Sequence, residues 1–180
     1  MSELRTSLPD IKLRALEPED LDWLYELEND RSLWDVGAAP MHYSRFALRQ
    51  YIAAQPQDFF RDGELRLVVE ADGQETPVGL VDLTNYSALD RRAEVGIALS
   101  AACRGCGYGR SALKSLEVYA RRYLHLRMLY ALVSAQYNER CRKTFLSVGY
   151  TLTATLKDWH RWGDKYEDID LLQKNIVKNA

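Results

Sequence analysis

The sequence contains no run of about 18 apolar residues, and no charged-then-apolar leader opens it between Met1 and Asp10. Neither a membrane-spanning helix nor a secretory signal is therefore expected, and the protein is expected in the cytoplasm with no membrane partner. An excess of one charge sign is also missing. Lys and Arg number 24 against 26 Asp and Glu, a net −2, and the pI is near 6.0. Such a balance offers no general attraction to a phosphate backbone, so nucleic acid is not expected as a partner and a cationic ligand suits the chain better. Cysteine is scarce: three residues, an odd number, with two in one short loop. A disulfide framework is thereby disfavoured and reduced thiols are expected. Zinc lacks ligands as well, since beyond Cys103 and Cys106 there are only Cys141 and the scattered His42, His125 and His160, so no metal is expected. Internal repeats and low-complexity linkers are absent. With 180 residues at 47% hydrophobic content, the chain can bury a core of its own and reads as a single domain over 1–180.

The periodicity supplies an order of elements. Residues 11–16 alternate like a half-buried strand, and Glu17-Pro18-Glu19-Asp20 opens a helix running to about Asn29. Ser44 is placed to cap a second helix ending near Gln55. Strands follow over 64–71, 77–85 and 92–100, with a turn at Asp72-Gly73, in the manner of an antiparallel meander. From Gly107 the period becomes helical, with Leu113, Leu116, Ala120, Tyr123 and Leu124 on one face. Residues 128–135 form a continuous apolar strand and 138–148 a short helix stopped by Gly149; strands over 150–159 and 166–173 join through Gly163-Asp164. The order is β-α-α-β-β-β-α-β-α-β-β.

One stretch, Cys103-Arg104-Gly105-Cys106-Gly107-Tyr108-Gly109-Arg110-Ser111, lies between a strand and a helix and admits four readings. A zinc site fails on ligand count, and in a thioredoxin-like pair the cysteines open the helix themselves, whereas Gly107-Tyr108-Gly109 intervenes here. A dinucleotide fingerprint requires an acid about 20 residues on, and none stands near Leu129; a P-loop requires a lysine that is absent. What remains is a glycine-rich turn that aims successive N–H groups out of a helix N-terminus, a place that favours a pyrophosphate, with Arg104 adding charge at its entry.

The residues Arg104-Gly105-Cys106-Gly107-Tyr108-Gly109 resemble the [Arg/Gln]-x-x-Gly-x-[Gly/Ala] signature of the GNAT superfamily of acyl-CoA N-acetyltransferases. The preceding strand Ala93 to Leu99, the helix from Asn138 through Phe145 to Gly149-Tyr150, the strand Gly79-Leu80-Val81-Asp82-Leu83 and Gly163-x-x-Tyr166-x-Asp168 extend the likeness over roughly 10–175. It is strongest toward the branch that holds diamine and polyamine acetyltransferases and ribosomal-protein N-terminal acetyltransferases. The resemblance implies an α/β fold with a mixed, mostly antiparallel central sheet flanked by helices. It also implies acetyl-CoA as co-substrate, a small-molecule amine as acceptor and, as in many relatives, a homodimer.

Carried over residue by residue, the resemblance puts the coenzyme pyrophosphate on Arg104, Gly105, Cys106, Gly107, Tyr108, Gly109 and Arg110, and the pantetheine along Ile97, Ala98 and Leu99, where the strand splays from 128–135. Asn138 meets the pantetheine arm in relatives, although a plain helix N-cap explains it equally. Amine attack on a thioester needs a base, because a primary amine is mostly protonated at neutral pH. Glu94 and Asp82 are the candidates, each with an alternative as an exposed carboxylate or as a partner of Arg91 or Arg92. Many relatives carry a tyrosine seven residues after the Asn138 position to protonate the thiolate, whereas this chain has Phe145, leaving Tyr137, Cys141 or water. Glu28 and Asp30, with Trp34, are candidates for a cation site; Glu26 reads better as solvated surface. Two other functions remain open: acetylation of a protein N-terminus, and a non-catalytic acyl-CoA-binding module.

Overall fold

The computed structural model describes residues 7–34, 41–55, 58–162 and 164–177, with the side chains of Trp34 and Trp162 outside the described set. Seven strands form one sheet in the order β1-β2-β3-β4-β5-β7-β6. They are β1 (Ile11–Arg14), β2 (Leu65–Ala71), β3 (Gly79–Ser87), β4 (Arg92–Leu99), β5 (Met128–Ser134), β6 (Thr151–Trp162) and β7 (Lys165–Asn175). Every neighbouring pair is antiparallel except β4 and β5, which run parallel. The mostly antiparallel mixed sheet flanked by helices is thus the expected architecture.

Helices cover both faces of the sheet, and strand alternation decides which side chains each covers. Val68 of β2 and Leu80 of β3 join Leu24, Leu27, Leu48 and Ile52, which come from α1 (Leu21–Glu28) and α3 (Arg45–Ala53). Their neighbours Val69 and Val81 join Leu113, Leu116 and Ala120 of α5 (Tyr108–Arg122) and Phe145 of α6 (Glu139–Ser147). Each fully buried leucine contributes about 2 kcal/mol through area removed from water. Ser44 caps α3 as the sequence suggests, its Oγ accepting the Ala47 N–H at 3.1 Å. Gly149, at φ 95°, ends α6 in the left-handed region.

The structure corrects several boundaries. The first helix begins as a 3-10 turn, Pro18–Asp20, before α1, because Arg14 and the Glu17 N–H both hold the Asp20 carboxylate at the chain's entry. Two short helices were not legible: α2 (Arg31–Trp34) and α4 (Phe59–Asp62), the latter capped by Asp58 and closed by left-handed Gly63. At four residues each they carry too little periodicity to read. Tyr123 lies just past α5 and is exposed, not part of its apolar face. The β6–β7 hairpin is longer than expected, and Gly163 of its turn lies outside the described residues. No described helix is long and apolar enough to cross a membrane.

Candidate active site

The parallel pair is the feature that makes a site. β4 and β5 pair only from Arg92–Met128 to Glu94–Tyr130, and no pairing follows among the described residues. Beyond that point β4 remains bonded to β3 as far as Gly79–Leu99, while β5 continues on β7 to Ser134–Ile169. The sheet therefore opens at its middle, and the β4 side facing the opening has no strand partner from Val95 onward.

Two clefts meet at this opening. The larger, of about 730 Å³, is lined by Ile97, Leu99, Arg104, Gly105, Gly107, Gly109, Arg110, Tyr137 and Asn138 among others. The smaller, of about 330 Å³, is lined by Glu28, Arg66, Asp82, Glu94, Ala98 and Phe145 among others. Leu33, Ile97, Asn138 and Cys141 belong to both walls. A ligand held in one cleft thus reaches the other through the split in the sheet.

The loop before α5 is shaped by its glycines. Gly105 (φ 85°) and Gly107 (φ 92°) are left-handed, a region that other residues adopt at a cost of about 1–2 kcal/mol. The Gly107 carbonyl accepts the first helical N–H groups, from Arg110 and Ser111, so Gly107 caps α5. Among the described residues, the N–H groups of Gly105, Cys106, Gly107, Tyr108 and Gly109 have no hydrogen-bond partner. Five free donors thus stand together at the positive end of a 15-residue helix, an arrangement that favours negative charge. Arg110 and Arg140, both in the wall of the larger cleft, carry no ion pair among the described residues and add cationic charge.

Arg104 does not add to that charge. Its guanidinium donates to Asp30 Oδ2 at 2.7 Å, Ser32 Oγ at 2.7 Å and the Leu99 carbonyl at 2.9 Å. It clamps the end of β4 to the α1–α2 connection and occupies one acceptor position of Leu99. Asp30 is accordingly not a cation site, since its carboxylate is taken by Arg104 and by the Ser32 N–H and Oγ–H. Burial alone would raise the Asp30 pKa, but the bonds from Ser32 and Arg104 outweigh it and hold the carboxyl below its ordinary value. The side chains of Cys106 and Tyr108 line neither cleft, leaving only their N–H groups for a ligand.

In the smaller cleft the acids are not equivalent. Asp82 receives two hydrogen bonds from Arg66, at 2.7 and 3.0 Å, and Arg66 also donates to Glu28 at 2.7 Å. The expected alternative partners are engaged elsewhere: Arg91 donates to the His125 carbonyl, and Arg92 pairs with Asp90. Glu94 stands at the last bonded pair before the split, half-buried, and accepts a hydrogen bond from the neutral Asn85 amide at 2.8 Å. Among the described residues Glu94 thus has a neutral hydrogen-bond donor and no ion pair, whereas Glu28 and Asp82 share one cation.

Phe145 is 1% exposed and packs edge-on against Tyr150 at 4.9 Å, so it belongs to the core as well as to the cleft wall. Tyr137 is half exposed and lines the larger cleft only. Cys141 sits one turn before Phe145 on α6, and burial pushes its thiol up to about 12. Asn138 caps α6, its Oδ1 accepting the Cys141 N–H at 3.2 Å, while standing in both walls; the cap and site readings are compatible. Arg66, Arg140 and Asn85 escaped sequence reasoning. A charge inside the strand Leu65-Arg66-Leu67-Val68-Val69 was the available signal for the first; the others offered none.

A parallel pair that splits beside a glycine-rich helix start, with a second cleft behind it, is the arrangement that the resemblance to the acyl-CoA N-acetyltransferases implied. The chain belongs to the GNAT acetyltransferase family, whose domain matches residues 10–151. It is 30% identical over 146 residues to the spermidine N(1)-acetyltransferase of Escherichia coli (strain K12), covering 81% of this chain and 75% of that protein. The Vibrio cholerae spermidine N(1)-acetyltransferase is 26% identical over 159 residues, covering 88% and 89%. Among solved structures, spermidine N-acetyltransferase from Vibrio cholerae in complex with CoA and spermine superposes with a TM-score of 0.80 at 24% identity, over 92% of this chain and 95% of that one. The expected fold and acetyl-CoA-dependent N-acetyltransferase class are thus borne out.

Proposed function

We propose that the chain moves an acetyl group from acetyl-CoA to a primary amine of a diamine or polyamine, with the coenzyme in the larger cleft and the amine in the smaller. The observation that carries this reading is the junction itself: an anion site of unpartnered N–H groups and an acidic cleft sharing four wall residues at the split in the sheet. The acidic cleft holds three carboxylates against one guanidinium, a net charge that suits an ammonium ion. The named relatives acetylate spermidine.

The geometry supports a role for each of these groups. The coenzyme pyrophosphate takes the N–H groups of 105–109, with Arg110 and Arg140 beside it. Backbone N–H groups on the open side of β4, over Ile97 to Leu99, polarise the thioester carbonyl and stabilise the tetrahedral oxyanion. Glu94, through water, takes the proton that the ammonium must lose before attack. Asp82 and Glu28, tied to Arg66, hold the field of the cleft. When the C–S bond breaks, the thiolate needs a proton. Cys141 is a weaker acid than an ordinary thiol and is unsuited to give one, and Phe145 has none. Tyr137 or water serves.

Three free cysteines fit a reducing, cytoplasmic setting. The open edge strand β6, with exposed Leu152 and Trp159, supports a homodimer, which light scattering reads. Incubation with acetyl-CoA and a panel of amines, following free thiol, tests the activity. Amine-dependent thiol release, fastest with spermidine or a diamine, is the expected result. Coenzyme binding with no amine-stimulated release would leave a non-catalytic binding module, and preference for a peptide N-terminus would assign the other acceptor.

A further inference from the structure

Two acids of β7 are buried, and the chemistry above uses neither. One of them, Glu167, has 4% of its side chain exposed and both carboxylate oxygens occupied. Its Oε2 accepts the Ser134 hydroxyl at 2.5 Å, and its Oε1 lies 2.8 Å from His160 Nδ1. Ser134 is the last residue of β5, itself buried, and its Oγ accepts the Tyr137 N–H at 2.9 Å. Tyr137 lines the larger cleft, and the next residue, Asn138, lines both clefts while capping α6. The chain of bonds therefore runs from the β6–β7 hairpin, through a buried carboxylate and a hydroxyl, to the connection that delivers two wall residues to the split.

We infer that Glu167 is a positioning residue for the coenzyme side of the reaction, acting through Ser134 to fix the Tyr137–Asn138 segment against the larger cleft. The hydroxyl has one proton, and it donates that proton's hydrogen bond to the carboxylate. With that proton committed, the Ser134 oxygen presents its lone pairs to the Tyr137 N–H, so the carboxylate decides in which direction Ser134 can accept. A hydroxyl without this acceptor rotates among other partners, and the Tyr137 N–H loses its fixed acceptor while the Ala135 N–H still bonds the Asp168 carbonyl. The second buried acid, Asp170, reinforces the arrangement: it accepts from Thr155 Oγ1 at 2.7 Å and lies 3.5 Å from Arg142 of α6. Glu167 thus holds the start of the connection, and Asp170 steadies the helix that follows.

The inference rests on the coenzyme occupying the larger cleft, so its test measures CoA binding directly, by calorimetry on the full chain. Ser134→Ala removes the anchor with little change in volume and is expected to weaken CoA about tenfold, the size of one buried hydrogen bond lost. Glu167→Leu is expected to weaken it by at least as much, and Glu167→Gln to restore most of the loss. The carboxamide oxygen can accept from Ser134 while its NH₂ faces His160. In an Asn138→Ala background, Ser134→Ala is expected to cost less than about twofold, because both act through one segment. The KM for spermidine stays unchanged in Ser134→Ala and in the Glu167 variants. Should Glu167→Leu fail to fold, Ser134→Ala and its cycle with Asn138→Ala decide the matter alone. Wild-type CoA affinity in Ser134→Ala, or full additivity in the cycle, overturns the inference while leaving the coenzyme site standing. A wild-type chain that does not bind CoA overturns the cleft assignment and this inference with it.

Discussion

The two clefts are built from different materials. The larger is made of backbone: left-handed glycines, a helix end and N–H groups without a partner among the described residues, with Arg110 and Arg140 at its wall. The smaller is made of side-chain charge, with Arg66 shared between Glu28 and Asp82 and Glu94 apart from them. A backbone site is fixed by the residues that can adopt its turns, whereas a side-chain site is fixed by pairings across the sheet.

Substitutions can break that contrast, beginning with the largest expected effect. Gly105 is left-handed, and an added Cβ meets nothing within 4 Å, so aspartate, which tolerates this conformation, enters with little strain. Gly105→Asp is expected to weaken CoA by more than about 10²-fold, with only a small change in melting temperature. Gly107→Glu should abolish binding too, but it adds a stability loss, because its Cβ would stand 3.1 Å from Pro9. In the other cleft, Glu94→Gln is expected to lower kcat on the order of 10²-fold with CoA affinity unchanged. Equal losses of binding and turnover in either variant would erase the division between the two sites.

Arg66→Met leaves two carboxylates without their cation. The cost in unfolding free energy is about 1–2 kcal/mol, less than for a fully buried pair because these side chains keep 21–24% of their surface. Spermidine KM should change as well, and CoA affinity should not. Acid distinguishes the regions in a further way. Asp20 and Asp30 are held below the ordinary value of 3.8, against burial, by hydrogen bonds from Arg14 and from Ser32 and Arg104 respectively. Their folded pKa values are depressed, so their contribution is complete above about pH 4 and lost as pH falls through the lower folded values. Melting temperature should fall over that window, and Asp30→Asn should flatten part of the fall. The smallest effect is expected at the loop cysteines: Cys103→Ser with Cys106→Ser should keep kcat/KM within about twofold, as neither thiol lines a cleft.

The same contrast explains what the sequence disclosed. Gly105, Gly107 and Gly109 lie within five residues of one another and answer to a local rule, so the glycine turn into α5 could be read directly. The splay of β4 from β5 followed from the resemblance. Arg66 could not be assigned, because its partners lie 16 and 38 residues away and pairing across a sheet leaves no local pattern. Arg104 and Asp30 misled for the same reason: each looked like a free charge in its own segment, and across 74 residues they neutralise one another. Phe145 was visible as a departure from relatives, yet its burial against Tyr150 required the fold.

Amide hydrogen exchange with and without CoA tests the central claim most directly, since it reports on backbone donors and needs no knowledge of the amine. The account predicts slowed exchange at 105–109 and at Ile97 to Leu99, with the amides around Arg66 and Asp82 unchanged. Protection concentrated around Arg66 and Asp82, with 105–109 still exchanging freely, would contradict it.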